Sequence, residues 1–380
     1  MKTLYYRPKK ISKAVLLSLA GLSLAVMILI ECFPAKKLDG MESVKLDAAK
    51  RADAAITAIG DKRVELNHRW LPQLDPAKTM LIGPTMSSVT TQVGHLDAKQ
   101  TSVNPNFAAV VVEMLHTAGV KRGDRIAVGC TGSFPALDIA VYTAADAMEL
   151  RPTIISSATS SQYGANHPEL MWPDMEKLLF EKGLIGTRSI ATSIGGVGDR
   201  GVGMTEDVLE NLLEVIDRND VPLLRKDTLA AAVEERMRLY DEAAGEETYA
   251  AYINVGGGSA SVRGTKGNAI IGDGIIFPES VDLTGVKECA ALKFLERGVP
   301  IVNLINANNL AETYGLAIAP VAKVPVGEGQ VFGRTVYRRW WALAGIAIIL
   351  SAAWVIMHPT PALERLLHGK DAQPAGQLMV

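Results

Sequence analysis

The chain is 380 residues long, 48% hydrophobic and 21% charged, with a formal net charge of −2 at pH 7. That apolar content excludes global disorder, which requires a chain too polar to build a core, and three cysteines (Cys32, Cys130, Cys289) are too few to staple a disulfide scaffold. The near-neutral total also argues against a general nucleic-acid binder, so no nucleic-acid partner is expected.

The total hides a division along the chain. Residues 1–13 form a basic start with Lys2, Arg7, Lys9, Lys10 and Lys13 and no acid. Residues 14–30 (AVLLSLAGLSLAVMILI) hold no charge, and a helix of that length runs about 26 Å, enough with its flanks to cross a bilayer core of about 30 Å. The exit Glu31-Cys32-Phe33-Pro34 offers no small-residue cleavage site, so this segment reads as an uncleaved anchor rather than a signal peptide or lipoprotein leader. Residues 31–339 form an acidic body of net charge −7.

Within that body short apolar runs alternate with longer amphipathic ones. The pattern predicts strands at Met80–Ile82, Arg125–Gly129, Thr153–Ser156, Ser189–Ile194, Tyr249–Val255 and Pro300–Leu304. It predicts helices at Lys45–Ile59, Pro105–Ala118, Pro135–Met148, Asp174–Lys182, Glu206–Arg218, Thr228–Ala243 and Gly285–Arg297. Strand, glycine, helix, strand is the rhythm of βαβ units, and the fold class expected is α/β: a three-layer domain on a parallel sheet between two transmembrane helices. The acidic stretch at 241–248 is the candidate internal boundary. Residues 340–357 (WWALAGIAIILSAAWVIM) are the second span, with Trp340, Trp341 and Trp354 where an aromatic belt would lie, and 358–380 form a neutral tail. The basic start favours a cytoplasmic amino terminus and an extracytoplasmic body, although Arg334, Arg338 and Arg339 flank the second span on the body's side.

Three glycine-bearing loops follow predicted strands: Gly129-Cys130-Thr131-Gly132-Ser133, the run Gly195-Gly196-Val197-Gly198-Asp199, and Gly256-Gly257-Gly258-Ser259. In a parallel sheet such loops gather at the carboxyl edge of the strands, and helix amino termini there suit a phosphate or carboxylate. Thr131, Gly132, Ser133, Gly195, Gly196, Asp199, Gly256, Gly257, Gly258 and Ser259 are therefore the candidate ligand-binding residues; tight turns alone would also account for the glycines. None of the loops matches a P-loop or a dinucleotide fingerprint, and no cofactor is expected. Ser133, at a strand-to-helix turn, is a candidate nucleophile, although helix capping would also place a serine there. His95 and His167 stand in polar surroundings as candidate bases. No motif with metal-ligand spacing occurs, and no metal site is expected. Polar residues are densest in Gly83–Phe107, which reads either as a long functional loop or as a pair of turns before a helix at Asn104-Pro105.

Several of these segments carry a likeness. Gly83-Pro84 with Thr90-Thr91 and Gly94, Asn104-Pro105-Asn106-Phe107, Gly132-Ser133-Phe134-Pro135-Ala136-Leu137, Ser160-Ser161 with Gly164-Ala165-Asn166, Gly195-Gly196 with Asp199 and Gly201, and Asn254-Val255-Gly256-Gly257 resemble the membrane-anchored poly-γ-glutamate system protein family of bacteria. The likeness runs along almost the whole chain. It implies a membrane-anchored accessory component in the synthesis, export or anchoring of a γ-linked glutamate polymer, with other membrane subunits of that machinery, or the polymer itself, as partners. It brings no catalytic residues with it. A hydrolase or transferase acting on the polymer, and a domain binding a phosphate- or carboxylate-bearing ligand, are the alternatives, so whether the chain is an enzyme stays open. A body of net charge −7 repels a polyanion at long range, which confines any direct contact with the polymer to a local feature.

Overall fold

The computed structural model describes residues 13–264, 270–280, 284 and 287–358; the basic start before Lys13, the tail beyond His358 and Gly285 of the last predicted helix lie outside them. The chain forms two compact units, one from residues 1–37 with 334–380 and one from 38–333.

In the first unit, α1 (Lys13–Cys32) and β1 (Ala35–Lys37) belong with the chain's last strand and helix, Arg334–Val336 and Arg339–Met357. The two strands pair antiparallel, with Ala35 opposite Val336. The two helices are long and apolar enough to cross a membrane, and most of their large side chains are exposed. They pack where Gly345 leaves room, for a Cβ there would sit 2.6 Å from Val26 Cγ1.

The second unit is an α/β domain. In chain order it comprises α2 (Glu42–Glu65), α3 (Leu96–Ser102), α4 (Phe107–Thr117), β2 (Arg125–Gly129), α5 (Pro135–Ala147), β3 (Arg151–Ser157), the hairpin β4 (Asn166–His167) and β5 (Leu170–Met171), and α6 (Trp172–Glu181). There follow β6 (Ala191–Ser193), α7 (Glu206–Arg218), β7 (Leu223–Leu224), α8 (Leu229–Ala244), β8 (Ala251–Val255), α9 (Ser259–Val262), β9 (Gly274–Ile276), α10 (Ala290–Glu296), β10 (Ile301–Leu304) and α11 (Ala307–Tyr314). Seven strands make one sheet in the order β7-β6-β3-β2-β8-β10-β9, parallel except for the edge strand β9.

Alternation along the central strands explains the layers. Ile126 and Val128 of β2, with Ile253 and Val255 of β8, share a core with Ala52, Ile56 and Ile59 of α2 and with α4 and α5. Ala127, Ile155 and Tyr252 point the other way, into a second core with Tyr240 of α8 and Phe294 of α10. Tyr252 and Phe294 stack with centroids 4.7 Å apart. Helix α4, Phe-Ala-Ala-Val-Val-Val, is apolar nearly all round because it is covered on all sides.

Three expectations need correction. Met80–Ile82 is not a strand: the buried Arg63 guanidinium takes the carbonyls of Met80 (2.6 Å) and Ile82 (2.9 Å), so these groups are satisfied by a side chain and no strand pairs with them. The candidate boundary near 241–248 is the turn from α8 into β8, where Gly245 has φ +62°, inside one compact unit. The 83–107 segment is not a bare loop or a pair of turns, since it contains α3; the helix expected at Asn104-Pro105 is α4, which begins at Phe107. Phe107 is fully buried in the larger core. Phe107→Ala is expected to cost about 3–5 kcal/mol, read as a lower urea midpoint for the detergent-solubilised chain.

Candidate functional site

Six parallel strands end at one edge of the sheet, and the segments that follow five of them line a single cleft of about 640 Å³. Thr131 and Ser133 come from the end of β2; Ser157, Thr159 and Ser161 from β3; Gly195, Gly196 and Asp199 from β6; Gly257, Gly258 and Ser259 from β8; and Asn306 from β10. The strand order reverses between β2 and β8, so the cleft lies at the switch point where open α/β sheets bind ligands. All three glycine loops reach it, while Gly132 and Gly256 stand behind its lining. Only the first loop runs straight into a long helix, α5, with Pro135 in the first turn; the other two open into single turns, Val197–Asp199 and α9.

Two glycines are required by close approach as well as by backbone. A Cβ on Gly195 (φ +85°) would lie 2.4 Å from Thr159 Oγ1, and one on Gly256 (φ +81°) 2.6 Å from Thr131 Oγ1. Ser259 Oγ donates to Gly196 O at 2.9 Å, tying the third loop to the second. The 83–107 segment supplies the fourth wall, with Thr91, His95, Asp97 and Lys99 in the lining. It is zipped onto the segment after β3: Thr91 N and Oγ1 donate to Ser160 O at 2.9 and 3.1 Å, and Gln162 N donates to Gln92 O at 3.0 Å.

Lys99 is the unusual group. It is 3% exposed, and its ammonium donates to Ser133 O and, at 3.0 Å, to Ser161 Oγ, while lying 3.6 Å from the Phe134 ring centroid. Burial brings it down to about 7, and charge from Asp138 opposes that shift. Asp138, buried on α5, is itself pushed well up by burial; burial likewise drives the Cys130 thiol far above the range of a reactive cysteine. Across the cleft Asp199, a non-glycine at φ +63°, pairs with the buried Arg236 at 2.9 Å and accepts from Ser193 Oγ at 2.8 Å. Burial raises Asp199 and Arg236 counteracts it.

Of the residues singled out in the sequence, Ser133 and His95 line the cleft and His167 does not. The Ser133 hydroxyl accepts from Ser161 N at 3.1 Å. His167 stacks on His68 with centroids 3.5 Å apart, and His68 Nε2 lies 3.1 Å from Glu169 Oε2. These three side chains bring ligand atoms within 4.8 Å of one another, the grouping among the described residues that could hold a metal ion. Sequence spacing could not show it, because His68 is a hundred residues away from the other two. Arg63 Nε, 3.3 Å from His68 Nδ1, sets a positive charge beside it that works against a cation. Lys99 and Arg236 are not candidates from the sequence, where the polar density of 83–107 is the one signal pointing to Lys99; Ser161 is marked there only by the Ser160-Ser161 likeness, with no role attached.

No family model, curated protein or solved structure matches the chain. The chemistry of the cleft therefore rests on its own residues.

Lys99 makes a pH test available. Below about pH 7 the folded chain must hold a buried ammonium; between there and pH 10.5 only the unfolded chain keeps that proton, so the penalty of burial shrinks as pH rises. The stability of Lys99→Met relative to the parent should be highest below pH 7, fall by several kcal/mol as pH rises to about 10.5, and level off beyond, as read from urea midpoints at each pH.

Proposed function

We propose that the chain is a membrane-anchored accessory component of γ-linked glutamate polymer synthesis, export or anchoring, and that its cleft takes a carboxylate- or phosphate-bearing ligand. The two terminal apolar helices support the membrane setting, and the likeness of Gly83–Phe107, Ser160–Asn166 and the glycine loops to the poly-γ-glutamate system proteins supports the polymer. One observation carries the ligand reading. The Lys99 ammonium, buried at the cleft, meets a carbonyl, a hydroxyl and an aromatic ring but no hydrogen-bonded carboxylate among the described residues. A ligand anion supplies that counter-charge where screening by water is weak, and a hydrogen bond to a charged group contributes about 1.5–3 kcal/mol.

The same site answers the repulsion of a −7 body for a polyanion. Long-range charge opposes approach, so a glutamate chain is held by one or two residues at the cleft and not along an extended basic track. Other membrane subunits of the machinery are the further partners in this reading, and the body lies outside the cytoplasmic membrane.

Titration calorimetry of the detergent-solubilised chain with a short γ-linked glutamate oligomer, and separately with inorganic phosphate, tests the ligand. Binding is expected to be tighter at pH 6 than at pH 8, because the anion selects the protonated Lys99. Lys99→Met should weaken it about 10- to 100-fold and abolish the pH dependence; a dependence that survives in that variant overturns its assignment to Lys99. No heat with either anion overturns the reading. Sidedness has its own check: Glu246, exposed beyond α8, is replaced by cysteine in a Cys32→Ser background. A membrane-impermeant maleimide should then label intact cells without lysis.

A further inference from the structure

Resting on the reading of the cleft as a ligand site, we propose that Ser161 and Lys99 are a serine–lysine pair for acyl transfer, Ser161 the nucleophile and Lys99 its general base, acting on an ester or amide whose acyl group seats in the cleft. The geometry singles out Ser161 over Ser133. Lys99 Nζ lies 3.0 Å from Ser161 Oγ, whereas its contact with Ser133 is to the backbone carbonyl. Both hydroxyl-bearing residues line the cleft. The Ser161 backbone is held from both sides: its N–H donates to Ser133 Oγ at 3.1 Å, and its carbonyl accepts from Ser160 Oγ at 2.8 Å and Gly164 N at 3.3 Å. Gly164 leaves no slack, since a Cβ there would meet Ser160 Oγ at 2.3 Å and Ser133 O at 2.6 Å. A nucleophile fixed this firmly beside its base meets the geometric requirement for covalent catalysis.

A lysine serves as base only when its proton is off at working pH, and Lys99, at about 7, meets that condition where an exposed lysine does not. In the neutral form the hydrogen bond reverses and Ser161 Oγ–H donates to Nζ. As Oγ attacks the carbonyl carbon, its proton passes to Nζ. The tetrahedral intermediate then expels the amine or alcohol, which takes that proton from Lys99 and leaves an acyl ester on Ser161. Water, or a second amine, attacks the ester with Lys99 again accepting and returning the proton. Ser133 Oγ already accepts from the Ser161 amide, so its own O–H is the hydroxyl donor beside Ser161 that can serve the developing oxyanion. The groups acting on Lys99 are Asp138 and Phe134 from the α5 side, the Ser133 carbonyl, and Ser161 from the segment after β3; His95 and Asp97 line the cleft on its own segment, and Asp199 pairs with Arg236 across it.

A fluorophosphonate probe, which phosphonylates activated serines with loss of fluoride, tests this on the full chain in detergent. Labelling is expected on Ser161 by peptide mass mapping, with a rate rising about tenfold per pH unit up to about pH 7 and level above. Ser161→Ala should lose the adduct. Lys99→Arg keeps the cation but cannot act as base, so it should label about 100-fold more slowly or worse. An adduct on another residue, no adduct on the parent chain, or full labelling of Lys99→Arg overturns the pair. Failure of phosphate or glutamate-oligomer binding with labelling intact would overturn the anion reading alone.

Discussion

Parallel pairing of β2 with β3 on one side and β8 on the other is the constraint from which the rest of the domain follows. Parallel neighbours cannot be joined by a tight turn, so each strand must return through a crossover lying on a face of the sheet. That requirement covers both faces with helices and buries the central strands on both sides, as in the fully buried Ala251–Val255. It also sends every carboxyl end to the same edge. The chain builds β2, β3, β6 and β7 outward in one direction and then returns to set β8 against the other side of β2. The loops that part there bound the cleft, so the site is a consequence of topology before any particular side chain is considered.

Much of this was legible in the residues because the relevant signals are local. Gly119 ends α4, Pro135 opens α5, and the predicted span Arg125–Gly129 coincides with β2. Glu206–Arg218, with its sharply amphipathic pattern, needed no correction. The glycine loops were visible as candidates because their spacing after predicted strands places them at one edge. What escaped depends on partners distant in sequence. Arg63 reaches across to Met80 and Ile82, and no propensity of those residues reveals that their carbonyls are already taken. Lys99 looks like one lysine in a polar segment until Ser161, some sixty positions away, is brought to it, and the His68–His167 stack is equally non-local.

Burying Lys99 is costly, and the surroundings show how the fold sustains it. Its ammonium is not matched by an ionised carboxylate in direct contact; Asp138 helps only through charge, from a site so dry that its own ionisation is disfavoured. The large aromatic and aliphatic cores on both faces of the sheet must offset that deficit, which is the pattern expected where local stability is given up for a reactive group. Contrast the opposite wall, where Arg236 and Asp199 are equally buried but satisfy each other and Ser193. That pair braces the cleft wall beside a left-handed backbone at Asp199. The cleft thus sets a closed ion pair against an open cation. The open one has no carboxylate in direct contact to hold its charge, which is why both the binding and the acyl-transfer readings converge on Lys99.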